Sequence, residues 1–183
     1  MHVCGGAIIN KWQFLTAAHC VFGRSLQKWS ILAGNANISS TKNRCPVFYV
    51  KIHELYKDED YQYDIAIVTV KEPFDFWNPN IGKIHLESQQ ILPNPGDICE
   101  IAGWGFTDNS GSEPILLRNV QVPLIEFEKC KNIFENWESG KYKGRIYGGN
   151  ICAGAAGKDS CGVKFLEHNY FKNKSGRPCF LPF

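Results

Sequence analysis

Short runs of β-branched, aromatic and aliphatic residues recur along the chain, at 6–9, 12–16, 29–33, 47–52, 65–70, 98–102 and 120–125. Asn78-Pro79, Pro95-Gly96 and Gly148-Gly149 punctuate the spaces between several of them. Strand-length runs closed by turn residues predict an all-β barrel or sandwich and argue against alternating strand–helix units. One segment departs from this pattern. Over 126–134, Phe127, Cys130, Ile133 and Phe134 fall at helical spacing and predict a short surface helix. The stretch 71–97 holds Pro73, Pro79, Pro93 and Pro95 with little alternation, so it is expected to link two halves. No internal repeat is evident.

The chain has 183 residues, enough for one ordinary domain or two small ones packed together. With 44% hydrophobic and 21% charged residues it is neither disordered nor of low complexity. A net charge of +2 gives no basis for nucleic acid or an anionic membrane as partner. No uncharged apolar run approaches the ~18–20 residues of a membrane-spanning helix. The last 22 residues, 162–183, differ from the rest: four basic residues against one acidic give them +3, leaving −1 for what precedes. Five of the 22 are Phe or Tyr, the composition of a foreign segment or of ordinary terminal variation.

Eight cysteines, at 4, 20, 45, 99, 130, 152, 161 and 179, form no C-x-x-C pair. Zinc-ribbon and thioredoxin spacings are therefore missing, and a disulfide framework is the expected use of the thiols. No acidic cluster has calcium-ligand spacing either, so no metal and no cofactor is expected. Two sequons, at Asn37 and Asn173, agree with a secretory route and make both asparagines glycosylation candidates. No charged n-region and apolar h-region precede Cys4, so the start of the chain is expected to be incomplete.

Two polar residues stand against apolar strands. Thr16-Ala17-Ala18-His19-Cys20 follows the run at 12–16, and 45 residues after His19 an Asp64 heads the run at 65–70. A His gripped by a carboxylate is how many hydrolases build a general base: the carboxylate sets the tautomer and stabilises the cation once a proton is taken. Taken singly, a His beside a cysteine is a structural residue, and an Asp opening a strand is a cap.

Taken together, Cys4-Gly5-Gly6-Ala7-Ile8-Ile9, Ala17-Ala18-His19-Cys20 and Asp64-Ile65-Ala66 resemble the first barrel of the chymotrypsin/trypsin-like serine endopeptidases. Cys99-Glu100-Ile101-Ala102-Gly103-Trp104-Gly105, Val120-Gln121-Val122-Pro123-Leu124-Ile125, Asn150-Ile151-Cys152-Ala153-Gly154 and Asp159-Ser160-Cys161 continue the resemblance in order. It implies a chymotrypsin-like double β-barrel, the first barrel lacking its N-terminal strand and the second its closing strands and C-terminal helix. The implied first barrel covers about 3–75, the linker about 71–97 and the second barrel about 98–161, with 162–183 as a tail outside the family domain.

The resemblance assigns His19 as general base, Asp64 as its orienting partner, and Asp159 as the carboxylate at the base of the primary specificity pocket. That anion implies cleavage after Lys or Arg. The resemblance also implies disulfides Cys4–Cys20 and Cys130–Cys152, and leaves Cys45, Cys99, Cys161 and Cys179 without assigned partners. Polypeptide substrates or protease inhibitors are the implied partners of a secreted, extracellular protein expected to be monomeric.

The pattern breaks after Cys161. There the family carries Gly-Asp-Ser-Gly-Gly-Pro, the nucleophilic Ser with the amides of the oxyanion hole, but this chain reads Gly162-Val163-Lys164-Phe165-Leu166-Glu167-His168. Ser175-Gly176-Arg177-Pro178 keeps a faint echo, displaced by ten residues and preceded by Lys174 where an Asp belongs. Nucleophile placement tolerates about 1 Å, so Ser175 is not expected to serve. Ser160 corresponds to a pocket-lining position. The chain is expected to be catalytically inactive, either as an incomplete endopeptidase product or as a pseudoprotease acting as a binding or regulatory module.

Overall fold

The computed structural model describes residues 4–86, 94–105, 114–136, 147, 150–155 and 180–181. Two compact units divide the chain, Met1–Gln90 and Ile91–Phe183.

In the first unit, β1 (Ala7–Ile8), β2 (Gln13–Thr16), β3 (Ser30–Leu32), β4 (Arg44–Ile52) and β5 (Ala66–Val70) form one antiparallel sheet in the order β1-β2-β5-β4-β3. The strands fall on the apolar runs because alternation gives each a face to bury. In β5 the alternate residues Ala66, Val68 and Val70 are each 2% exposed, while Ile67 and Thr69 are half-buried. β4 starts three residues earlier than the apolar run, at Arg44, since Cys45 pairs with Ile31 of β3. A bulge between Val47 and Tyr49 adjusts its register against β5.

Two buried clusters lie against this sheet, one around Ala18, Val21, Val47 and Val68, the other around Ala33, Val70, Phe74 and Ile81. Phe14 and Ile31 pack against both. Phe74 falls where the implied first barrel, about 3–75, and the linker, about 71–97, overlap, and Ile81 falls in the linker alone; both are buried in the first unit, and Phe74 is fully so. Burial of such a ring contributes about 1.5–3 kcal/mol, so this part of the stretch is held by the core. Its apolar residues lack any period, and a pattern-based reading cannot separate them from a connector.

In the second unit, β6 (Ile98–Gly103), β7 (Arg118–Ile125), β8 (Ile151–Ala153) and β9 (Phe180–Leu181) follow one another in a four-stranded antiparallel sheet. Helix α1 (Phe127–Glu135) lies where the helical spacing placed it. Phe127, Cys130 and Ile133 share a face that packs on Cys152 of β8, while Val122, Leu124 and Ala153 form a separate small cluster. In β9, Phe180 pairs with Cys152 and Leu181 with Ile151, so two tail residues extend the sheet. Composition carried no sign of this pairing.

Candidate active site

Strand register builds the site. Thr16 pairs with Ala66, at the end where β2 stops and β5 begins. His19 comes just after β2, in the 3-10 turn Ala18–Cys20, and Asp64 just before β5. Antiparallel pairing therefore brings together two side chains 45 residues apart in sequence. The turn is held by the N–H of Val21 donating to Ala18 O at 3.0 Å and by burial of Ala18, which is fully enclosed. Below it, Cys4 and Cys20 are joined, with a Cα–Cα distance of 6.1 Å.

Asp64 holds His19 twice. Its Oδ1 accepts the His19 backbone N–H at 2.8 Å, and its Oδ2 lies 2.6 Å from the imidazole Nδ1. Both side chains are only 10% exposed. The carboxylate can only accept, so the short contact places the ring proton on Nδ1 and leaves Nε2 as the basic nitrogen. Such a pair, largely withdrawn from water, can take a proton at Nε2 and stabilise the resulting cation.

Around Nε2 lie Cys20 Sγ at 3.3 Å and Cys4 Sγ at 4.0 Å. These three side chains come within 4.8 Å of one another, the spacing of a metal site. Two of them are oxidised to a disulfide, which removes the thiolate ligands a soft metal needs.

Tyr61 meets the imidazole edge-on, with centroids 5.8 Å apart and planes at 89°. Sequence reasoning missed it. Tyr61 and Tyr63 adopt φ of 59° and 54°, the left-handed region that costs a non-glycine residue about 1–3 kcal/mol. The loop is tied by Tyr61 N–H to Lys57 O at 2.8 Å and Ile65 N–H to Tyr63 O at 2.7 Å. Asp60 Oδ1 accepts the N–H of Gln62 at 3.1 Å. The run Tyr61-Gln62-Tyr63 directly before Asp64 was the available signal, but side-chain identity alone does not announce φ. Tyr56 stands nearby with its hydroxyl donating to Asp58 at 2.8 Å. Burial first, then that hydrogen bond and the charge of Asp64, push its phenol well above the usual tyrosine range.

The other expected positions fall as follows. Cys130 and Cys152 are joined, 22 residues apart in sequence, and both are buried. Cys45 and Cys99 are free thiols. Burial, with Glu72 adding to it, pushes the Cys45 thiol up. Asn37 is exposed in a tight turn, its Oδ1 accepting the Ser39 N–H at 2.9 Å. Asp159, Ser160, Cys161, Asn173, Ser175 and Cys179 lie outside the described residues. Among the described residues, no helix is long and apolar enough to cross a membrane.

The Trypsin family profile matches residues 1–162. Two curated relatives are each 34% identical to the chain: the venom peptide isomerase heavy chain of Agelenopsis aperta, over 166 residues, and trypsin zeta of Drosophila melanogaster, over 165. Each alignment covers 87% of this chain, but 67% of the first relative and 58% of the second. Among solved structures, the scabies mite inactivated protease paralogue S-D1 superposes with a TM-score of 0.83 at 23% identity. That match covers 97% of this chain and 81% of the mite protein, a likeness of fold. The two sheets with their one described helix thus have the all-β, chymotrypsin-like double-barrel fold.

Proposed function

The chain belongs to the trypsin family of serine endopeptidases, and from that premise we propose that it carries the proton-handling half of an acyl-transfer site without the attacking half. His19 is the base and Asp64 its orienting partner. The double grip of Asp64 on the His19 backbone N–H and Nδ1 carries this reading, since it fixes both where the ring sits and which nitrogen is basic. In a complete site, Nε2 takes the proton of a serine hydroxyl as that oxygen attacks a peptide carbonyl. Backbone amides then receive the negative charge on the carbonyl oxygen. The segment after Cys161 holds no Gly-Asp-Ser-Gly-Gly-Pro, so both the hydroxyl and the amides it would bring are missing from the sequence. Asp159 would direct a completed site to cleavage after Lys or Arg, because a buried carboxylate left unpaired by a neutral side chain costs several kcal/mol.

The domain reading stays with a protease domain over 1–161 and a tail over 162–183. The protein is a secreted monomer, with Asn37 and Asn173 as glycan acceptors and polypeptides or protease inhibitors as partners. Hydrolysis of an arginine p-nitroanilide peptide tests the account: the chain and its His19→Ala variant should give the same background rate. Saturable turnover abolished by His19→Ala would overturn it.

A second reading, a secreted pseudoprotease serving as a binding or regulatory module, draws on the mite protein, an inactivated protease paralogue with this fold. Retention of His19 and Asp64 favours the first reading, because a binding module has no use for an imidazole oriented by a carboxylate.

A further inference from the structure

We infer that Cys4, Cys20 and His19 form a zinc site in the thiol form of the chain, with the metal and the disulfide as alternative closures of one loop. The three donor atoms already converge: Nε2 lies 3.3 Å from Cys20 Sγ and 4.0 Å from Cys4 Sγ. A tetrahedral zinc with Zn–N of about 2.0 Å and Zn–S of about 2.3 Å sets N···S at about 3.5 Å, between those two distances. Two thiolates on the same ion stand about 3.8 Å apart. Cysteines whose Cα atoms are 6.1 Å apart reach that separation by turning about χ1.

The frame around these atoms does not depend on the sulfur–sulfur bond. Cys4 is carried to the turn by β1, whose Ala7 pairs with Leu15 of β2, and by the Thr16 hydroxyl donating to Gly5 O at 2.9 Å. His19 and Cys20 are fixed by the enclosed Ala18 between them and the strand, and by the Cys20 N–H donating to Ala17 O at 3.2 Å. Asp64 completes the arrangement from the other side of the ring. Its Oδ2, 2.6 Å from Nδ1, keeps the proton there and leaves Nε2 facing the sulfurs. That is the carboxylate–histidine–zinc relation, in which the carboxylate orients the imidazole and makes it a more basic ligand.

The donor set selects the ion. Two thiolates and an imidazole suit zinc, whereas calcium and magnesium require oxygen ligands that none of the three supplies. Zn2+, two thiolates and a neutral imidazole sum to no net charge, which suits a place where Cys20 is buried and the His19 side chain nearly so. Formation balances: two molecules of a small thiol reduce the disulfide and leave joined as their own disulfide, and zinc then displaces a proton from each cysteine. Three protein ligands leave a fourth position for water. Nε2 bound to zinc cannot accept a proton, so the loaded form is closed to base chemistry. The site needs Nε2 only as a ligand and does not rest on the proton-handling reading.

The test uses the full chain reduced with a water-soluble phosphine, which adds no competing thiol, and zinc affinity is read by competition with a chromophoric chelator. His19→Ala should weaken zinc binding about a hundredfold or more, since it removes a ligand, and Asp64→Asn about ten- to a hundredfold. Chelation by other cysteines alone would ignore both substitutions, and that result would overturn the inference. On the unsubstituted chain, cobalt(II) should give thiolate charge-transfer absorption and the strong visible bands of tetrahedral coordination, both displaced by zinc. Zinc should also raise the hydrogen-exchange protection of β2 and β5 amides in the reduced chain, because it binds the folded frame. Failure to bind zinc after reduction, or binding with no gain of protection in those strands, would equally overturn it.

Discussion

The two units pack differently, and the candidate chemistry follows the packing. Among the described residues, the first unit buries Phe74, Val68 and Val70 almost completely, in two clusters tied together by Phe14 and Ile31. The second unit buries Val122, Leu124 and Ala153 in one small group and the Cys130–Cys152 bridge in another. His19 and Asp64 sit on the continuous core, where the β2–β5 register brings them together without help from any distant element. The family motifs of the second unit lead instead to Cys161, after which the sequence leaves the family pattern. A sheet that completes its own register can hold a precise pair of side chains; one that depends on segments beyond the family pattern has less to hold them with.

The largest test of that contrast is Phe74→Ala. Truncating a fully buried ring should destabilise the first unit by about 3–5 kcal/mol. Hydrogen exchange should show amides of β2 and β5 losing protection while those of β6 and β7 keep theirs. Equal losses in both would mean that the units unfold as one. Removing the Cys130–Cys152 bridge with paired alanines should cost the second unit about 3 kcal/mol, since that bridge closes a 22-residue separation. Denaturant unfolding followed by fluorescence and by exchange should place the loss in β7 and β8.

A smaller effect is expected from Asp64→Asn. The amide can accept from the His19 backbone N–H or from Nδ1, but its NH2 end cannot accept at all. One charge-assisted contact is lost and one donor is left opposed, so the first unit should lose about 1–3 kcal/mol. The downfield proton resonance of Nδ1–H should vanish with it. Smallest is Tyr56, whose phenol stays protonated in the folded chain above its ordinary pKa. Above about pH 10 the unfolded chain releases that proton and the folded chain does not, so the unfolded state binds fewer protons and stability falls as pH rises. Tyr56→Phe should flatten this alkaline decline in melting temperature, and an unchanged slope would remove Tyr56 from the account.

The elements legible in the sequence are those whose signals are local. Alternation in Ala66-Ile67-Val68-Thr69-Val70 marks β5 directly, and the spacing of Phe127, Cys130 and Ile133 marks α1. The proximity of His19 and Asp64 is not local: it needs the β2–β5 pairing, which the motifs implied only through family resemblance. β8 and β9, of three and two residues, are too short to show a period, and the hydrogen bonds that define β9 come entirely from its partner. The left-handed backbone at Tyr61 and Tyr63 is likewise set by the turn bonds around it, against the preference of the residues themselves. Ile81 was hidden for the opposite reason, being a core residue in a stretch whose prolines read as connector.

The measurement closest to the central claim is the intact mass of the protein after incubation with excess fluorophosphonate, which marks any serine activated by a neighbouring base. The account predicts no added mass on the chain, because His19 has a partner in Asp64 but no family serine after Cys161 to activate. Stoichiometric addition of one phosphonyl group, lost on Ser175→Ala and on His19→Ala, would contradict it.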